Sequence, residues 1–119
     1  MISVLDQTRL FALTQAIGAP VVARLAAEVA HDLGDELARL GGLLRGRQFD
    51  DARALAHRLR GRVASFGCQA LRQHLEMIER ALRPGLSPAF SDRSVDALRA
   101  LGARTALELS RAVSRLIQD

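Results

Sequence analysis

Leu25, Val29, Leu33, Leu37, Leu40 and Leu44 recur at steps of three and four, with mostly small or polar residues between them. Such a stripe, kept up for about five turns, suits a helix with one buried face. A strand alternates its side chains with period two and cannot use it. The same spacing returns in four other stretches. Leu10, Leu13 and Ile17 mark a segment over about 6–17, closed by Gly18. The long stripe runs over about 20–45, opened by Pro20 and ended by Gly46. Gly41 and Gly42 are expected to bend it or stop it early, because glycine is costly inside a helix. A third segment begins near Asp50 or Asp51 and runs to about Phe66, with Leu55, Leu59 and Phe66 on one face. A fourth covers about 69–82 with Leu71, Leu75, Ile78 and Leu82. A fifth covers about 92–116 with Val95, Leu98, Leu109, Val113 and Leu116. The stretch 83–91, with two prolines and a glycine, reads as a loop.

The chain is 119 residues long and 49% hydrophobic, which suits one domain over 1–119 with a single core. Five helical segments in one domain predict an all-α fold: an antiparallel four-helix bundle with a short additional N-terminal helix. The 17 basic side chains are all arginine, against 13 acidic ones. A net charge of +4 permits nucleic-acid binding without requiring it, and Asp50, Asp51, Glu76 and Glu79 dilute the basic field. No nucleic-acid role is expected. A lone Cys68 excludes an internal disulfide and a cysteine-rich metal site. The first ten residues read as neither a signal peptide nor a membrane anchor, so the expected location is the cytoplasm, with no membrane partner.

The informative stretch is the third helix. His57 is two residues from both Leu55 and Leu59, so it lies roughly 160° from either. With the leucines in the core, the imidazole faces water. Arg53, Ala54, Arg60, Gly61 and Ala64 share its face. Three of these five are alanine or glycine, so the ring stands on bared helix that another protein can approach closely. Arg60 can donate charge-assisted hydrogen bonds there. A lone exposed histidine is more often a solvated residue, and Arg58, Arg60 and Arg62 alone could be an ordinary solvated face. Their common spacing is the more specific signal. His31 reads as a solvated surface residue, His74 as a packed one and Cys68 as a small buried side chain. The three histidines show no short metal-ligand spacing, so no metal site is expected.

His57-Arg58-Leu59-Arg60-Gly61, followed by Phe66-Gly67-Cys68 and Leu71, resembles the signature of the histidine phosphotransfer (HPt) domains of phosphorelays. Ala56 before the histidine and the Ile78-Glu79 pair fit the same pattern. Arg60 stands where that family usually has lysine, and Arg62 and Val63 replace small residues. Val63 should pack inward, while Arg62 is expected to add charge near a partner surface. The resemblance implies a phosphorelay intermediate. His57 is the phosphoacceptor, Arg60 steadies the phosphoryl group and Gly61 leaves room for it. Arg53, Ala54, Arg58 and Ala64 are the expected partner-binding residues. The implied partners are a response-regulator receiver domain, a histidine kinase, or both. No cofactor is expected on the chain, Mg²⁺ being supplied by the receiver. A bundle closed by one chain predicts a monomer, and the resemblance implies a stoichiometric carrier with no ATP site, not an enzyme. The competing reading is a non-catalytic helical module that binds a receiver or kinase without transferring phosphate.

Overall fold

The computed structural model describes residues 2–84 and 90–118. It is all-helical, with five helices and no strand among the described residues: α1 (Gln7–Ile17), α2 (Ala19–Arg45), α3 (Phe49–Ala64), α4 (Gln69–Ala81) and α5 (Asp92–Gln118). The expected segments are all present, with ends shifted by a residue or two. Most of the expected loop lies outside the described residues.

Local chemistry sets the boundaries. The Asp6 carboxylate accepts from the Arg9 N–H at 3.2 Å and caps α1. Gly18 separates α1 from α2, with Pro20 in the first turn of α2. Asp50 and Asp51 lie in the first turn of α3 and Arg62 in its last, both favourable to the helix dipole. Phe66, expected inside the third helix, instead sits buried in the turn after α3.

α2 and α5 are each 27 residues long and pack against one another along much of their length. α3 packs on α2 and on α4, α4 also touches α5, and α1 lies on α2. Leu33, Leu37, Leu40, Leu59, Leu71, Leu75, Leu98 and Leu109 are buried between them. Each contributes roughly 1.5–3 kcal/mol relative to an exposed position.

The early end expected at Gly41–Gly42 does not occur, and α2 runs through both residues. A Cβ on Gly41 would lie 2.7 Å from Cγ1 of Val95, so the glycine lets α5 approach α2 closely. Packing thus outweighs the intrinsic cost of about 1 kcal/mol for glycine in a helix. Beyond that contact, Arg45 at the end of α2 pairs with Asp92 at 2.9 Å and Asp96 at 3.4 Å at the start of α5. α5 therefore runs antiparallel to α2.

The turn joining α3 to α4 also holds the N-terminal segment. The Asp6 N–H donates to the Gly67 carbonyl at 2.7 Å, and the Gln69 amide donates to the Ser3 carbonyl at 3.0 Å. Gly67 has φ +74°, and a Cβ there would meet the Asp6 carbonyl oxygen at 2.5 Å. Both facts require glycine. Gly67→Ala is expected to lower stability by about 1–3 kcal/mol, seen as a lower urea midpoint with unchanged slope. An unchanged midpoint would contradict the fit described for this turn.

Candidate functional site

α3 is amphipathic by composition. Ala52, Leu55, Ala56, Leu59 and Val63 are buried and fix its rotation about its axis. That rotation turns His57 outward, where its side chain is 67% exposed. The inward packing expected of Val63 is seen as well.

The ring is exposed but not free. His57 Nδ1 lies 2.7 Å from Oε1 of Glu79, which projects from α4 and is only 17% exposed. An ionised carboxylate only accepts, so Nδ1 is the donor in this pair. In the neutral imidazole the proton then sits on Nδ1, and Nε2 keeps its lone pair. Arg60 Nε lies 2.6 Å from the other carboxylate oxygen, Oε2, in an ion-pair contact rather than an aligned hydrogen bond. Its Nη2 is 3.0 Å from Nδ1, a nitrogen whose proton already goes to Glu79. Nη1 lies 3.8 Å from Glu76 Oε1, and Arg72 donates to that same oxygen at 2.7 Å. Glu79 thus bridges the histidine and the arginine of the motif.

The remaining candidates divide. Arg53 and Ala54 share with His57 the wall of an open groove of about 500 Å³, completed by Asp50, Glu79, Arg80 and Arg83. Gly61 is exposed, and a Cβ there would meet nothing within 4 Å, so no crossing helix uses it for packing. Ala64 lies apart from the groove, half-buried in a second hollow beside Asp6, Arg9 and Gly67. Arg58 is exposed and outside the groove wall.

Arg62 does not join the exposed face as expected. Its guanidinium reaches back to α2, pairing with Asp32 at 3.0 Å and with Glu36. It is five residues beyond His57, about 140° around the helix, so the inter-helix pair lies away from the ring. Arg62→Ala is expected to cost about 1 kcal/mol or less, as for partly exposed ion pairs. Thermal unfolding checks the cost.

Glu79 as the ring's partner was not evident from the α3 face alone. The available signal was its place on α4: it follows Leu75 by four and Ile78 by one, at the edge of the buried stripe, where a side chain points across to α3.

A model of the Hpt domain family matches residues 24–118, from within α2 to the end of α5. The chain belongs to the Hpt domain family. No curated protein and no solved structure matches it. Membership implies a part in two-component phosphorelay signalling, in a family of phosphocarriers rather than enzymes. α1 lies outside the matched stretch, although its start is fastened to the turn after the motif helix of this Hpt domain. No described helix is long and apolar enough to cross a membrane. Among the described residues, no three His, Cys, Asp or Glu side chains are placed to hold a metal ion.

Of the other titratable groups, His31 is exposed and His74 half-buried, with desolvation lowering the His74 pKa. Cys68 is fully buried at the start of α4, and burial pushes its thiol up to about 12. A helix N-terminus alone would push it down, so desolvation wins here. The chain has no Lys and no Tyr, so few groups compete in that alkaline range. The native thiol holds its proton where an unfolded one loses it. Its stabilisation is therefore complete below about pH 9 and is lost as pH rises toward about 12, at about 1.4 kcal/mol per pH unit between them. Urea midpoints measured across that window should fall more steeply for the native sequence than for Cys68→Ala. Parallel curves would contradict the burial argument.

Proposed function

We propose that this Hpt domain is a phosphorelay intermediate that accepts a phosphoryl group on Nε2 of His57 and exchanges it with an aspartate of a receiver domain. The observation that carries the reading is the Nδ1 contact with Glu79. It orients an exposed imidazole and leaves Nε2 as the nucleophile. In the step, Nε2 attacks phosphorus, the bond from phosphorus to the aspartyl oxygen breaks, and the carboxylate leaves with the electron pair. The imidazole becomes cationic as the new P–N bond forms. Glu79 sits at the nitrogen where that charge is shared and stabilises it, as a carboxylate behind a catalytic histidine does. The return step reverses these movements. Phosphoryl transfer depends mainly on positioning and charge stabilisation, and a small exposed site of this kind can supply both.

Gly61 fits the role of clearance, since nothing fills the space over it. Arg53, Ala54 and Arg58 fall on the approach to the ring from the groove side and the outer face, where the partner would dock. Ala64 is further off, beside the α3–α4 turn, and would mark the edge of that interface. Mg²⁺ would be held by the acidic site of the receiver, outside this chain. We read α2 to α5 as the antiparallel four-helix bundle of the family with α1 added to it, closed by one chain as a monomer acting in the cytoplasm.

Transfer from phosphorylated receivers with Mg²⁺ tests the reading. The native chain should take an acid-labile, base-stable label, and His57→Gln should take none. Glu79→Ala should slow labelling roughly 10- to 100-fold, the usual result of removing a histidine's orienting partner. Glu79→Gln, which keeps an acceptor for Nδ1–H, should lose less. Label persisting in His57→Gln moves the acceptor elsewhere. Binding of receivers or kinases without label would favour the non-catalytic interaction module.

A further inference from the structure

The arginines around His57 are not equivalent. Toward the C-terminal end of α3, Arg60 is paired with Glu79 and Glu76, and Arg62 with Asp32 and Glu36, while Arg58 is exposed and lies outside the groove wall. In the groove on the other side, Arg53 and Arg80 form no ion pair with any described residue, and neither does Arg83 beside them. Of the two carboxylates in the groove wall, Glu79 is taken up by His57 and Arg60. Asp50 alone remains against three guanidinium groups, so positive charge is left over where His57 enters the groove.

We propose that Arg53 and Arg80 hold the phosphoryl oxygens on His57, and that Arg60 acts as a positioning residue through Glu79. This rests on the carrier reading and assigns the anion-binding side of the same site. Arg53 is four residues before His57, a neighbour on the same face of α3. Arg80 comes from α4, one residue beyond the carboxylate that orients the ring. Arg53 is half-buried and Arg80 exposed, so neither charge is deeply desolvated. Turning Arg60 onto the phosphoryl group would take from Glu79 Oε2 its close cation. Arg53 and Arg80 have no such pair to give up. A phosphoryl group carries about −1.5 to −2 charge at pH 7 and three acceptor oxygens, a good match for two forked donors.

A small donor separates phosphoryl binding from protein docking. With phosphoramidate, the P–N bond of the donor breaks, ammonia leaves with the electron pair, and the bond from phosphorus to Nε2 forms. Initial labelling rates would be measured for the native chain, Arg53→Ala/Arg80→Ala and Arg39→Ala, first with phosphoramidate and then with a phosphorylated receiver. Circular dichroism would check that each variant keeps its helices. The double variant should be slower by about tenfold or more with both donors, on the scale of losing an oxyanion donor. Arg39→Ala, which removes an exposed arginine of α2 outside the groove wall, should keep the native rate with both donors. A double variant at the native rate with phosphoramidate and slow only with the receiver overturns the assignment and makes the groove a docking surface. One at the native rate with both donors overturns it outright. A native chain that takes no label from either donor overturns the carrier reading and this assignment with it.

Discussion

The rotation of α3 about its own axis determines the site, and hydrophobic burial fixes that rotation. Leu55, Leu59 and Val63 are sealed against neighbouring helices. Together they remove several kcal/mol of apolar surface from water, at about 1.5–3 kcal/mol each. No polar contact at the exposed site is on that scale, since exposed ion pairs contribute about 0–1 kcal/mol. The core therefore sets where His57 points, and the ion pairs adjust the ring within that limit. The helix rotation that buries the leucines bares Gly61 and Ala54, so the outward imidazole and the open space around it follow from one packing arrangement.

α4 does two jobs for the same reason. Leu71, Leu75 and Ile78 bury its inner face, and Glu79 stands at the edge of that face. A residue there is half shielded, which strengthens its electrostatic contacts, yet it still reaches an exposed neighbour across the helix pair. From that edge one oxygen of Glu79 receives the histidine N–H while the other faces the Arg60 guanidinium. The arginine holds the carboxylate in place. The carboxylate keeps the ring in one tautomer.

Much of this was legible in the sequence, and the reasons differ by feature. The helices follow from apolar spacing alone, and so does the outward face of His57, because both depend on angles along one helix. The pairing of Arg62 with Asp32 and Glu36 was not legible, because it joins residues about thirty positions apart whose meeting depends on how α2 and α3 pack. The same holds for Arg60, whose charge is directed to Glu79 rather than left open on the face. Gly41 misled in a more general way. Its intrinsic cost marks a break, but the approach of Val95 gives that position a packing role that local propensity does not encode.

The two arginines that depart from the family pattern have separate physical accounts. Arginine at position 62, where a small residue is usual, would obstruct a partner if it lay over the imidazole. It lies about 140° away around the helix and is tied down on α2, so the face over Gly61 stays clear. Arginine at position 60 offers a planar fork where lysine offers a point charge. A fork can lie along a carboxylate edge and still touch the ring, which is how Arg60 comes to contact Glu79, Glu76 and His57 at once. That geometry ties the residue to the interior of the site. On the carrier reading, the positive charge an incoming phosphoryl group needs is then left to the groove side, where Arg53 and Arg80 have no ion pair among the described residues to release.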